Sequence, residues 1–532
     1  MKVLIVYPNM PMMMSPALSV AYFTDICDKE NVEVQLFETT NYDDKNIVDA
    51  QTRKEQMGAG RGMVDYSAAF DMIKPTEEMV PDFIAYVENY KPDLLLFSTV
   101  EDTWFDTVKL LKAVHHLNIA HIIGGVFPIN APEVVINNEY VTALSRYEGE
   151  YVVRDIIRKM KNGEEWVDVK GIWYKMPDGK IKKNQFQPLV DLEEFYPQFR
   201  LYNKKARFMR PVGGKVRKTI GLETYRGCPY QCTYCNSPMT RSMDKKFVRR
   251  ESVPHTREKI LKLVEQHDPE FWFILDDSFT SRPKRELFPL LKTLEEVGIP
   301  WWCNTRLDDI DEEILSAMKE AHCERIQFGI ESGNEWYRIN MLKRKVKQEV
   351  YIEKAKVLNA SGIPYGLNVI IGMPLETKEM VFDTVRLVKQ IGGYDGLGLS
   401  IFLPYHGTEL RKVALEHNFI PETQIGSNGG FQGLPFMKMP KPYMQLDEMS
   451  SMMDRFKLYA YFNESYWDEI TNSTDLSKFE EIYKKEFFAS KTAAYGDQHV
   501  NARKKSKYAC ESSEQTDFFA EVDYFDIHAK IV

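Results

Sequence analysis

The sequence predicts an α/β protein in which a doubly wound, Rossmann-like parallel sheet is followed by a partial (β/α)6 barrel of the TIM type and a mainly helical C-terminal region. Two observations carry this prediction. Short β-branched runs alternate with helical patterns over residues 1–165, and a second alternation of the same kind begins at Lys218. With 532 residues, 44% of them apolar, the chain is long enough to bury the cores of two or three domains.

The N-terminal alternation predicts four buried strands, at residues 3–7, 32–37, 94–99 and 121–123. Stretches with apolar residues at helical spacing separate them, at residues 17–29, 77–90 and 105–117. We expect these helices to cover both faces of the sheet. A polar insertion over residues 42–75 is too long for an ordinary connection, and its sequence indicates no specific role.

Residues 166–217 differ in character from what precedes them. They contain a hairpin pattern around the Pro177-Asp178-Gly179 turn, followed by a connector with regularly spaced prolines. We therefore divide the chain into an N-terminal domain, a hairpin and linker, a barrel and a C-terminal helical region. Their predicted ranges are 1–165, 166–217, 218–410 and 411–532.

The second alternation predicts the six strands of the partial barrel. Helical segments of about a dozen residues separate the strands, a spacing typical of successive β/α units. In such a barrel, ligands lie at the carboxyl ends of the strands. The predicted strands are residues 219–224, 271–275, 301–304, 325–330, 365–371 and 398–402.

Composition excludes several kinds of partner. A net charge of −9 provides no general attraction for nucleic acid or for an anionic membrane. The apolar runs are far shorter than the roughly 20 residues that span a bilayer. The short apolar run at the start ends at Pro8, which suits a strand better than a secretory signal. We therefore expect a cytoplasmic protein without a membrane span or a nucleic-acid partner.

Three of the seven cysteines crowd into eight positions, as Cys228-x3-Cys232-x2-Cys235, directly after the first predicted barrel strand. Three thiolates can hold three irons of a cubane cluster and leave the fourth iron open to a small chelating molecule, whereas electron-transfer clusters of this type are closed by four cysteines. The alternative is structural zinc, which requires four ligands. Neither a fourth cysteine nor a histidine pair lies nearby in the sequence, and this favours the cluster.

At these residues the chain resembles the radical S-adenosylmethionine (SAM) superfamily. Its signature, Cys-x3-Cys-x-aromatic-Cys, is matched by Cys228, Cys232, Tyr234 and Cys235. The resemblance implies a catalytic [4Fe-4S] cluster held by these cysteines, with SAM on the open iron and Tyr234 beside the adenine. One electron from the cluster would then cleave SAM to a 5′-deoxyadenosyl radical.

The resemblance also implies SAM contacts where the other barrel strands end. Polar residues after the second, third and fourth strands are expected to meet the ammonium, ribose and carboxylate groups, although the glycines of the usual Gly-Gly-Glu segment are absent after the second. Segments after the fifth and sixth strands are expected to pack near the adenine. The residues concerned are Asp276, Asn304, Arg306, Glu331, Ser332, Ile371, Gly372 and Tyr405.

In the N-terminal sheet, Gly124 and Gly125 follow a predicted strand, where an open parallel sheet binds its ligand. The Gly-x-Gly-x-x-Gly turn of dinucleotide-binding sheets is absent after the first strand. This region resembles the cobalamin-binding domain that is fused to some radical SAM barrels. The resemblance implies that cobalamin lies between sheet and barrel without a histidine ligand. The implied contacts are Ser98, Thr99, Gly124, Gly125, Tyr147 and Glu148.

The resemblance implies a cobalamin-dependent methyltransferase that acts on an unactivated carbon of a small-molecule biosynthetic intermediate. The substrate radical would take a methyl group from methylcobalamin, and a second SAM would restore that group. We expect a monomer that receives its electron from an external donor of the flavodoxin or ferredoxin type. The sequence does not identify the substrate.

Three other kinds of protein share part of this sequence pattern. An oxidative cyclase or a rearrangement enzyme would use the same cofactors, so the motifs do not separate it from a methyltransferase. A methylthiotransferase acting on transfer RNA needs three further N-terminal cysteines, but only Cys27 precedes Cys228. A non-enzymatic, metal-stabilised binding protein would contain one zinc instead of about four irons.

Overall fold

The computed structural model describes residues 1–10, 15–43, 74–212, 215–426, 437–483 and 485–486. The polar insertion singled out above falls almost entirely outside these residues. Most of the segment beyond Tyr483 also falls outside them.

Residues 2–183 contain a seven-stranded sheet in which each predicted strand is present. The strand order is β2-β1-β5-β6-β7-β8-β9, parallel from β2 to β7 and antiparallel from β7 to β9. A separate parallel pair, β3 and β4, flanks the insertion. In chain order the strands are β1 (Lys2–Tyr7), β2 (Glu33–Glu38), β3 (Tyr42–Asp43), β4 (Lys74–Pro75), β5 (Leu94–Ser98), β6 (Ala120–Gly124), β7 (Ala143–Ser145), β8 (Ile172–Lys175) and β9 (Ile181–Lys183).

Helices cover both faces of this sheet, as the alternation predicted. Successive residues of a strand point to opposite faces, so Val3 and Ile5 of β1 enter one hydrophobic cluster and Leu4 and Val6 the other. The helices are α1 (Leu18–Lys29), α2 (Met79–Tyr90), α3 (Trp104–Val114), α4 (Val126–Asn130), α5 (Pro132–Asn137) and α6 (Glu150–Lys161).

The hairpin that the sequence placed in the linker is part of the N-terminal sheet. β8 pairs antiparallel with β7, and β9 continues the sheet beyond β8. The Pro177-Asp178-Gly179 turn connects the two strands, with Gly179 at φ = +80°. Residues 172–183 therefore pack with the preceding domain instead of forming a separate connector.

The second sheet contains six parallel strands that form the partial barrel, preceded by one antiparallel edge strand. Its order is β10-β11-β14-β15-β16-β17-β18, and the short pair β12 and β13 lies outside it. The strands are β10 (Met209–Val212), β11 (Lys215–Leu222), β12 (Tyr225–Arg226), β13 (Arg249–Arg250), β14 (Phe271–Ile274), β15 (Trp301–Thr305), β16 (Cys323–Glu331), β17 (Tyr365–Ile371) and β18 (Gly396–Ile401).

Helices alternate with these strands and pack on the outside of the sheet. Several begin at a side-chain cap, such as Thr377 before α13, because its hydroxyl satisfies a free N–H of the first turn. The helices are α7 (Ser237–Met243), α8 (Val253–His267), α9 (Lys284–Val297), α10 (Glu312–Glu320), α11 (Glu335–Asn340), α12 (Gln348–Ser361) and α13 (Lys378–Ile391).

The described part of the C-terminal region is helical, as expected. α15 packs against α13 and β18, and in this way covers the last strands of the barrel. The helices are α14 (Glu409–Glu416), α15 (Leu446–Tyr461), α16 (Trp467–Asn472) and α17 (Ser477–Tyr483). Among the described residues, no helix combines the length and apolar character needed to cross a membrane.

The two sheets meet through the loops at the carboxyl ends of their strands. Asp102, after β5, contacts Tyr405, after β18. Tyr147, after β7, contacts Thr240 in α7, which follows the cysteine loop. Carboxyl ends are where both kinds of sheet bind ligands. The fold therefore brings two ligand-binding edges together at one interface.

Candidate active site

The cysteine loop leaves the barrel after β11 and is entered through a glycine. Gly227, directly before Cys228, has φ = +90°, and a Cβ atom there would lie 2.8 Å from the ring of Phe247. A larger residue would meet both an unfavourable backbone conformation and a steric clash. This glycine sets the direction in which the three cysteines leave the strand.

The three thiols lie on one short loop, and the charges of Cys232 and Cys235 act on Cys228. Among the described residues, no group of three or more His, Cys, Asp or Glu side chains converges closely enough to hold one metal ion. Separate thiols suit a cubane, in which each cysteine binds its own iron. Burial raises the pKa of Cys228 to about 12 and also raises that of Cys235, so metal ligation is needed to hold them as thiolates. Arg306 Nη1 lies 3.8 Å from Cys232 Sγ.

The loop is fixed to the barrel through Thr233, which lies between two of the cysteines. Its N–H donates to the carbonyl of Leu342 (3.3 Å), and its hydroxyl donates to the carbonyl of Met341 (2.7 Å). Its own carbonyl accepts a hydrogen bond of 3.0 Å from the N–H of Leu410. The N–H, carbonyl and hydroxyl groups of Thr233 are therefore all bonded to residues outside the loop, which holds the loop in place between Cys232 and Cys235.

Tyr234, the aromatic residue of the motif, joins a buried polar cluster. Its hydroxyl donates to Glu331 Oε1 (3.1 Å) and accepts from Arg344 Nη1 (2.8 Å). Arg344 also donates to the carbonyl of Gly329 (2.7 Å) and lies 3.5 Å from Glu331. Burial raises the pKa of Glu331, and the Arg344 guanidinium opposes that shift. The structure thus joins two predicted SAM contacts through an arginine that the motif does not contain.

The backbone around Glu331 explains the glycine at position 329. Glu331 has φ = +61°, and the pairing of β16 with β17 shifts register between Gly329 and Glu331. This irregularity turns the carboxylate back over Gly329, where a Cβ atom would collide with it. The end of β16 therefore directs a buried carboxylate toward the motif tyrosine.

Asp276 and Asp277, after β14, have different surroundings. Asp276 Oδ1 accepts from the N–H groups of Thr224 and Tyr225, and Oδ2 accepts from the Thr224 hydroxyl and from Arg282 (2.6 Å). Both oxygens of this buried carboxylate are therefore used within the protein. Asp277 is exposed, accepts a hydrogen bond from Ser237 and raises the pKa of Cys228 and Cys235. Asp277, rather than Asp276, lies toward the cysteines.

Among the remaining predicted residues at the ends of β15 and β16, only some have polar side-chain groups that already bond other protein groups. Arg306 lies over the Tyr230 ring at 3.9 Å and pairs with Asp308 at 2.7 Å. The half-buried amide of Asn304 has no hydrogen bond among the described residues, and the same is true of the fully buried Ser332 hydroxyl. Free polar groups at strand ends are the kind that a bound nucleoside would satisfy.

The segment after β17 is shaped by two contacts. Gly372 has φ = +71°, and a Cβ atom there would lie 2.6 Å from Met449 Sδ in α15. Its N–H donates to Glu376 Oε2 at 2.7 Å. Burial raises the pKa of Glu376 to about 8. Ile371 is fully buried beside this turn, so the predicted adenine-packing segment is apolar and tightly held.

Tyr405, predicted as a SAM contact, is directed toward the N-terminal domain. Its hydroxyl bonds both oxygens of Asp102, at 3.1 and 3.0 Å. The next residue, His406, bonds Glu101 through its N–H and through Nδ1, both at 2.9 Å. Glu101 Oε1 also accepts from the N–H of Gly426. These contacts connect the loop after β5 with the loop after β18.

The predicted cobalamin contacts after β5 and β6 lie side by side. The Thr99 N–H donates to the carbonyl of Gly124 (2.9 Å), and Ser98 Oγ lies 3.2 Å from Ser19 Oγ. Gly125 has φ = +103° and ψ = −175°, a combination essentially restricted to glycine. A Cβ atom at Gly125 would collide with the backbone of Thr99. This glycine therefore allows the two loops to approach each other.

Tyr147 and Glu148 form part of the contact between the domains. The Tyr147 hydroxyl donates to the carbonyl of Thr240 at 3.0 Å. Glu148 Oε1 accepts from Arg226 Nη1 at 2.8 Å and pairs with Arg249, while Oε2 accepts from the N–H of Val190. Both oxygens of the Glu148 carboxylate therefore accept hydrogen bonds from other groups of the protein.

Arg226 is the centre of this ionic contact and lies two residues before Cys228. Besides Glu148, it pairs with Glu150 Oε1 (2.8 Å) and Glu223 Oε2 (2.9 Å). Neither Arg226 nor Arg344 was singled out from the sequence. Because Arg226 lies only two residues before Cys228, its position in the sequence could have indicated that it belongs to the site. Arg344 is more than 100 positions from its tyrosine, and the sequence contains no signal for that contact.

A cavity of about 580 Å³ lies beside β12 and β13, lined in part by Arg249, Arg250 and Ser252. None of the predicted cofactor contacts lines it. The N–H of Ser252 already donates to Glu193 Oε1 (2.7 Å), and Arg250 pairs with Glu286 (3.4 Å). The candidate active site is therefore assigned to the cysteine loop and the neighbouring strand ends, not to this cavity.

Comparison with known families decides the class of this site. A family model described as the radical SAM superfamily matches residues 222–388, from the end of β11 into α13. The chain therefore contains a radical SAM domain over these residues. It is therefore an enzyme rather than a metal-stabilised binding protein, and its cofactors include a [4Fe-4S] cluster and SAM. Radical SAM enzymes use external reductants.

Two curated relatives of this radical SAM enzyme are named as methyltransferases. An uncharacterised methyltransferase of Pyrococcus horikoshii is 26% identical over 347 residues, which cover 64% of this chain and 73% of the relative. Cytidylyl-2-hydroxyethylphosphonate methyltransferase of Streptomyces wedmorensis is 25% identical over 394 residues, covering 65% and 71%. Both similarities extend beyond the region matched by the family model.

A solved structure shares the overall fold of the radical SAM enzyme described here. The cobalamin-dependent SAM radical enzyme OxsB, solved with aqua-cobalamin and SAM bound, superposes with a TM-score of 0.64 at 15% identity. The match covers 92% of this chain and 72% of OxsB. This chain therefore shares with OxsB the overall fold that contains the N-terminal sheet, the partial barrel and the helical C-terminal region.

Proposed function

We propose that this radical SAM enzyme is a cobalamin-dependent methyltransferase that methylates an unactivated carbon of a small-molecule biosynthetic intermediate. The proposal rests on one observation: the loops at the carboxyl ends of the strands of the two sheets contact each other. Contacts such as Tyr405 with Asp102 and Tyr147 with Thr240 bring the carboxyl edge of the N-terminal sheet to the loop after β18 and to α7, the helix that follows the cysteine loop. A substrate between these edges would meet both cofactors.

The residues at the edge of the N-terminal sheet fit a large, partly apolar cofactor. Val100, Phe105 and Val126 follow β5 and β6, and each exposes at least 40% of its surface. Exposed apolar side chains grouped at a ligand-binding edge suit the face of a corrin ring. Ser98 and Gly124 would hold the cofactor from the strand ends. Thr99 and Gly125 would shape these loops.

Within the barrel, the chain's own residues would hold and orient SAM. Cys228, Cys232 and Cys235 would bind the cluster, and Tyr234 would lie against the nucleoside, held by Glu331 and Arg344. We assign the polar contact after β14 to Asp277, because the oxygens of Asp276 are fully used. When bound, the cluster supplies the electron that cleaves SAM, and cobalamin supplies the methyl group.

Support for methyl transfer comes from the two relatives named as methyltransferases. Support for cobalamin comes from the fold shared with OxsB together with the apolar edge described above. The proposed electron donor is a protein of the flavodoxin or ferredoxin type, and the proposed assembly state is a monomer.

The proposal is tested with anaerobically reconstituted enzyme, SAM, cobalamin and a reductant. Without substrate, we expect the methyl group of isotopically labelled SAM to appear on reduced cobalamin, with one S-adenosylhomocysteine formed for each methyl group transferred. With substrate, 5′-deoxyadenosine, S-adenosylhomocysteine and a methylated product should form together. Deoxyadenosine without methyl transfer to cobalamin or substrate would contradict methyltransferase activity and favour a cyclase or rearrangement enzyme.

A further inference from the structure

The barrel sheet has a polar, accessible face opposite the face that its helices cover. Along β15, β16 and β17, half-buried residues alternate with buried ones. The buried set, which includes Cys303, Phe328 and Val369, belongs to the hydrophobic core. Successive side chains of a strand point to opposite faces, so the half-buried set points into the barrel. We name this set the inner face, and it consists of Trp302, Asn304, Gln327, Gly329, Asn368 and Ile370.

The strand register confirms that these residues share one side of the sheet. Asn304 pairs with Gln327, and Gly329 pairs with Asn368. Ser400 of β18 pairs with Ile370 and is also half-buried. The interior of a closed (β/α)8 barrel is filled mainly by branched apolar side chains, but only Ile370 in the inner face is of that kind. The inside of this barrel is therefore lined by polar groups and is not a packed core.

Two glycines make room for a pair of amides at the centre of the inner face. Gln327 Nε2 donates to Asn368 Oδ1 at 2.7 Å. Gly366 pairs with Gln327, and Gly398 pairs with Asn368. A Cβ atom at either glycine would collide with the amide of its partner. The two amides therefore occupy space that side chains of β17 and β18 would otherwise fill.

This amide pair leaves hydrogen-bonding groups available to a ligand. Among the described residues, none bonds Gln327 Oε1, which is an acceptor, or Asn368 Nδ2, which is a donor. The Ser400 hydroxyl and the Asn304 amide are likewise without a partner in the described ranges, and all four groups retain accessible surface. A molecule that offers both donors and acceptors would satisfy them.

Most charged groups beside the inner face are already paired. Three ion pairs lie there, with 2.6, 2.6 and 3.5 Å between the charged atoms: Arg217 with Glu324, Arg325 with Asp395, and Arg344 with Glu331. A charged ligand would break one of these pairs or remain without a counter-ion in a partly buried site, and both are costly. The inner face therefore favours a neutral ligand.

The inner face lies opposite the N-terminal sheet. β10 and β18 are the two edge strands of the barrel sheet, and the N-terminal sheet contacts the barrel at both edges. Arg210 of β10, whose guanidinium lies 4.2 Å from the Phe273 ring, donates to Ser15 after β1 at 2.8 Å. Tyr405, after β18, bonds Asp102 after β5. The N-terminal sheet thus spans the gap between the two edges of the partial barrel.

We propose that the inner face binds the substrate, and that the substrate is a neutral ring compound with several hydroxyl groups, of the sugar or cyclitol class. A hydroxyl group both donates and accepts hydrogen bonds, so one kind of group satisfies Gln327 Oε1, Asn368 Nδ2 and Ser400. The half-buried ring of Trp302 offers an apolar surface to the C–H groups of such a ring. The inference rests on the proposed function only in taking the bound molecule as the substrate.

The test measures the binding of small probes to the full-length, anaerobically reconstituted enzyme with SAM and cobalamin bound. Methyl α-glucopyranoside and myo-inositol are the neutral probes. Methyl α-glucuronide and myo-inositol 1-phosphate are their charged counterparts. Dissociation constants are obtained by saturation-transfer NMR titration. We expect both neutral probes to bind, and each charged counterpart to bind roughly tenfold more weakly or worse, because its charge finds no free counter-ion.

The variant Q327M/N368L replaces both amides by apolar side chains of similar shape. Because both partners of the hydrogen bond are removed together, neither is left unsatisfied and the fold should be retained. We expect the neutral probes to bind this variant roughly tenfold more weakly or worse. S400A, which removes a single hydroxyl group, should weaken binding several-fold. The control N162L changes an exposed asparagine beyond α6 and should bind the probes within about twofold of wild type.

Three outcomes would overturn the proposal. The first is that neither neutral probe binds the wild type, and the second is that a charged counterpart binds more tightly than its neutral probe. The third is that Q327M/N368L binds the neutral probes as well as wild type does. Transfer of the labelled methyl group from SAM to cobalamin, measured without any probe, reports on the proposed function separately. Methyl transfer without probe binding would contradict only the substrate class, and probe binding without methyl transfer would contradict only the methyltransferase.

Discussion

Arg344 donates a hydrogen bond of 2.8 Å to the hydroxyl of Tyr234, from a position 110 residues further along the chain. Tyr234 lies between two of the cluster cysteines, and Arg344 lies on the segment between α11 and α12. Through Glu331 the pair also reaches the end of β16. One buried polar cluster therefore fixes the motif aromatic, a strand end and a surface segment relative to one another.

We predict that R344M strongly destabilises the protein, because Glu331 would remain buried without its cation. Removing one partner of a buried ion pair costs about 3–5 kcal/mol. Y234F removes only a hydroxyl group and should cost about 1 kcal/mol. Urea unfolding measures both changes. In the control R386M, the arginine is 39% exposed and pairs with exposed carboxylates, so the loss should stay below about 1 kcal/mol. A cost for R344M no greater than that for R386M would contradict this account.

We predict that replacing Cys228, Cys232 or Cys235 by alanine abolishes cluster assembly. Anaerobically reconstituted wild type should contain about four irons and four sulfides per chain, and each variant markedly less. Iron and sulfide analysis, with electron paramagnetic resonance of the reduced protein, provides the measurement. The controls C303A and C323A alter buried cysteines in β15 and β16 and should retain the metal. Equal iron content in C232A and wild type would be incompatible with the cluster assignment.

We predict that Glu376 makes the protein less stable as the pH rises. Burial raises its pKa from 4.5 to about 8, so between these values the folded protein keeps a proton that the unfolded chain has lost. The free energy of unfolding therefore falls from about pH 4.5 to about pH 8 and does not change further through this group. E376Q should remove this contribution and be more stable than wild type at pH 9 by several kcal/mol, because each pKa unit corresponds to about 1.4 kcal/mol.

The pH effect is measured as the difference in unfolding free energy between E376Q and wild type from pH 5 to pH 9. Hydrogen bonds from Gly372 and Met373 to Oε2 remain available to a glutamine oxygen, so the two proteins should be similar at pH 5. E379Q, at the exposed start of α13, serves as the control and should show no such trend. A constant difference between E376Q and wild type across this range would disprove the assignment.

We predict that R226M weakens the contact between the N-terminal sheet and the cysteine loop. Without the guanidinium, Glu148, Glu150 and Glu223 would face one another at this contact with fewer cations. Loss of the central charge of a buried ionic cluster should cost at least about 3 kcal/mol in urea unfolding. R158M removes an arginine whose side chain is 56% exposed and pairs with Glu30, and should cost less than about 1 kcal/mol. Similar losses in the two variants would show that Arg226 does not have this role.

The elements and the cysteine loop could be predicted because they depend on local patterns. β1 and β17 were predicted to within one residue, since both are rich in β-branched and other apolar residues and end at recognisable turns. The roles of single polar residues were harder to predict. Asp276 and Glu148 occupy the expected positions at strand ends, yet their oxygens are satisfied by Arg282 and Arg226. Whether such a carboxylate is free depends on residues distant in sequence.

The sequence by itself determined the order of sheet and barrel, the three-cysteine motif and its placement after the first barrel strand. These features follow from periodicity and spacing, which the chain carries along its length whatever its final shape. Only the tertiary structure decided that Tyr405 reaches Asp102, 303 positions away, and that Arg344 holds Tyr234. Hydrogen bonds and ion pairs act over a few ångströms, so their partners are determined only when the two sheets close on each other.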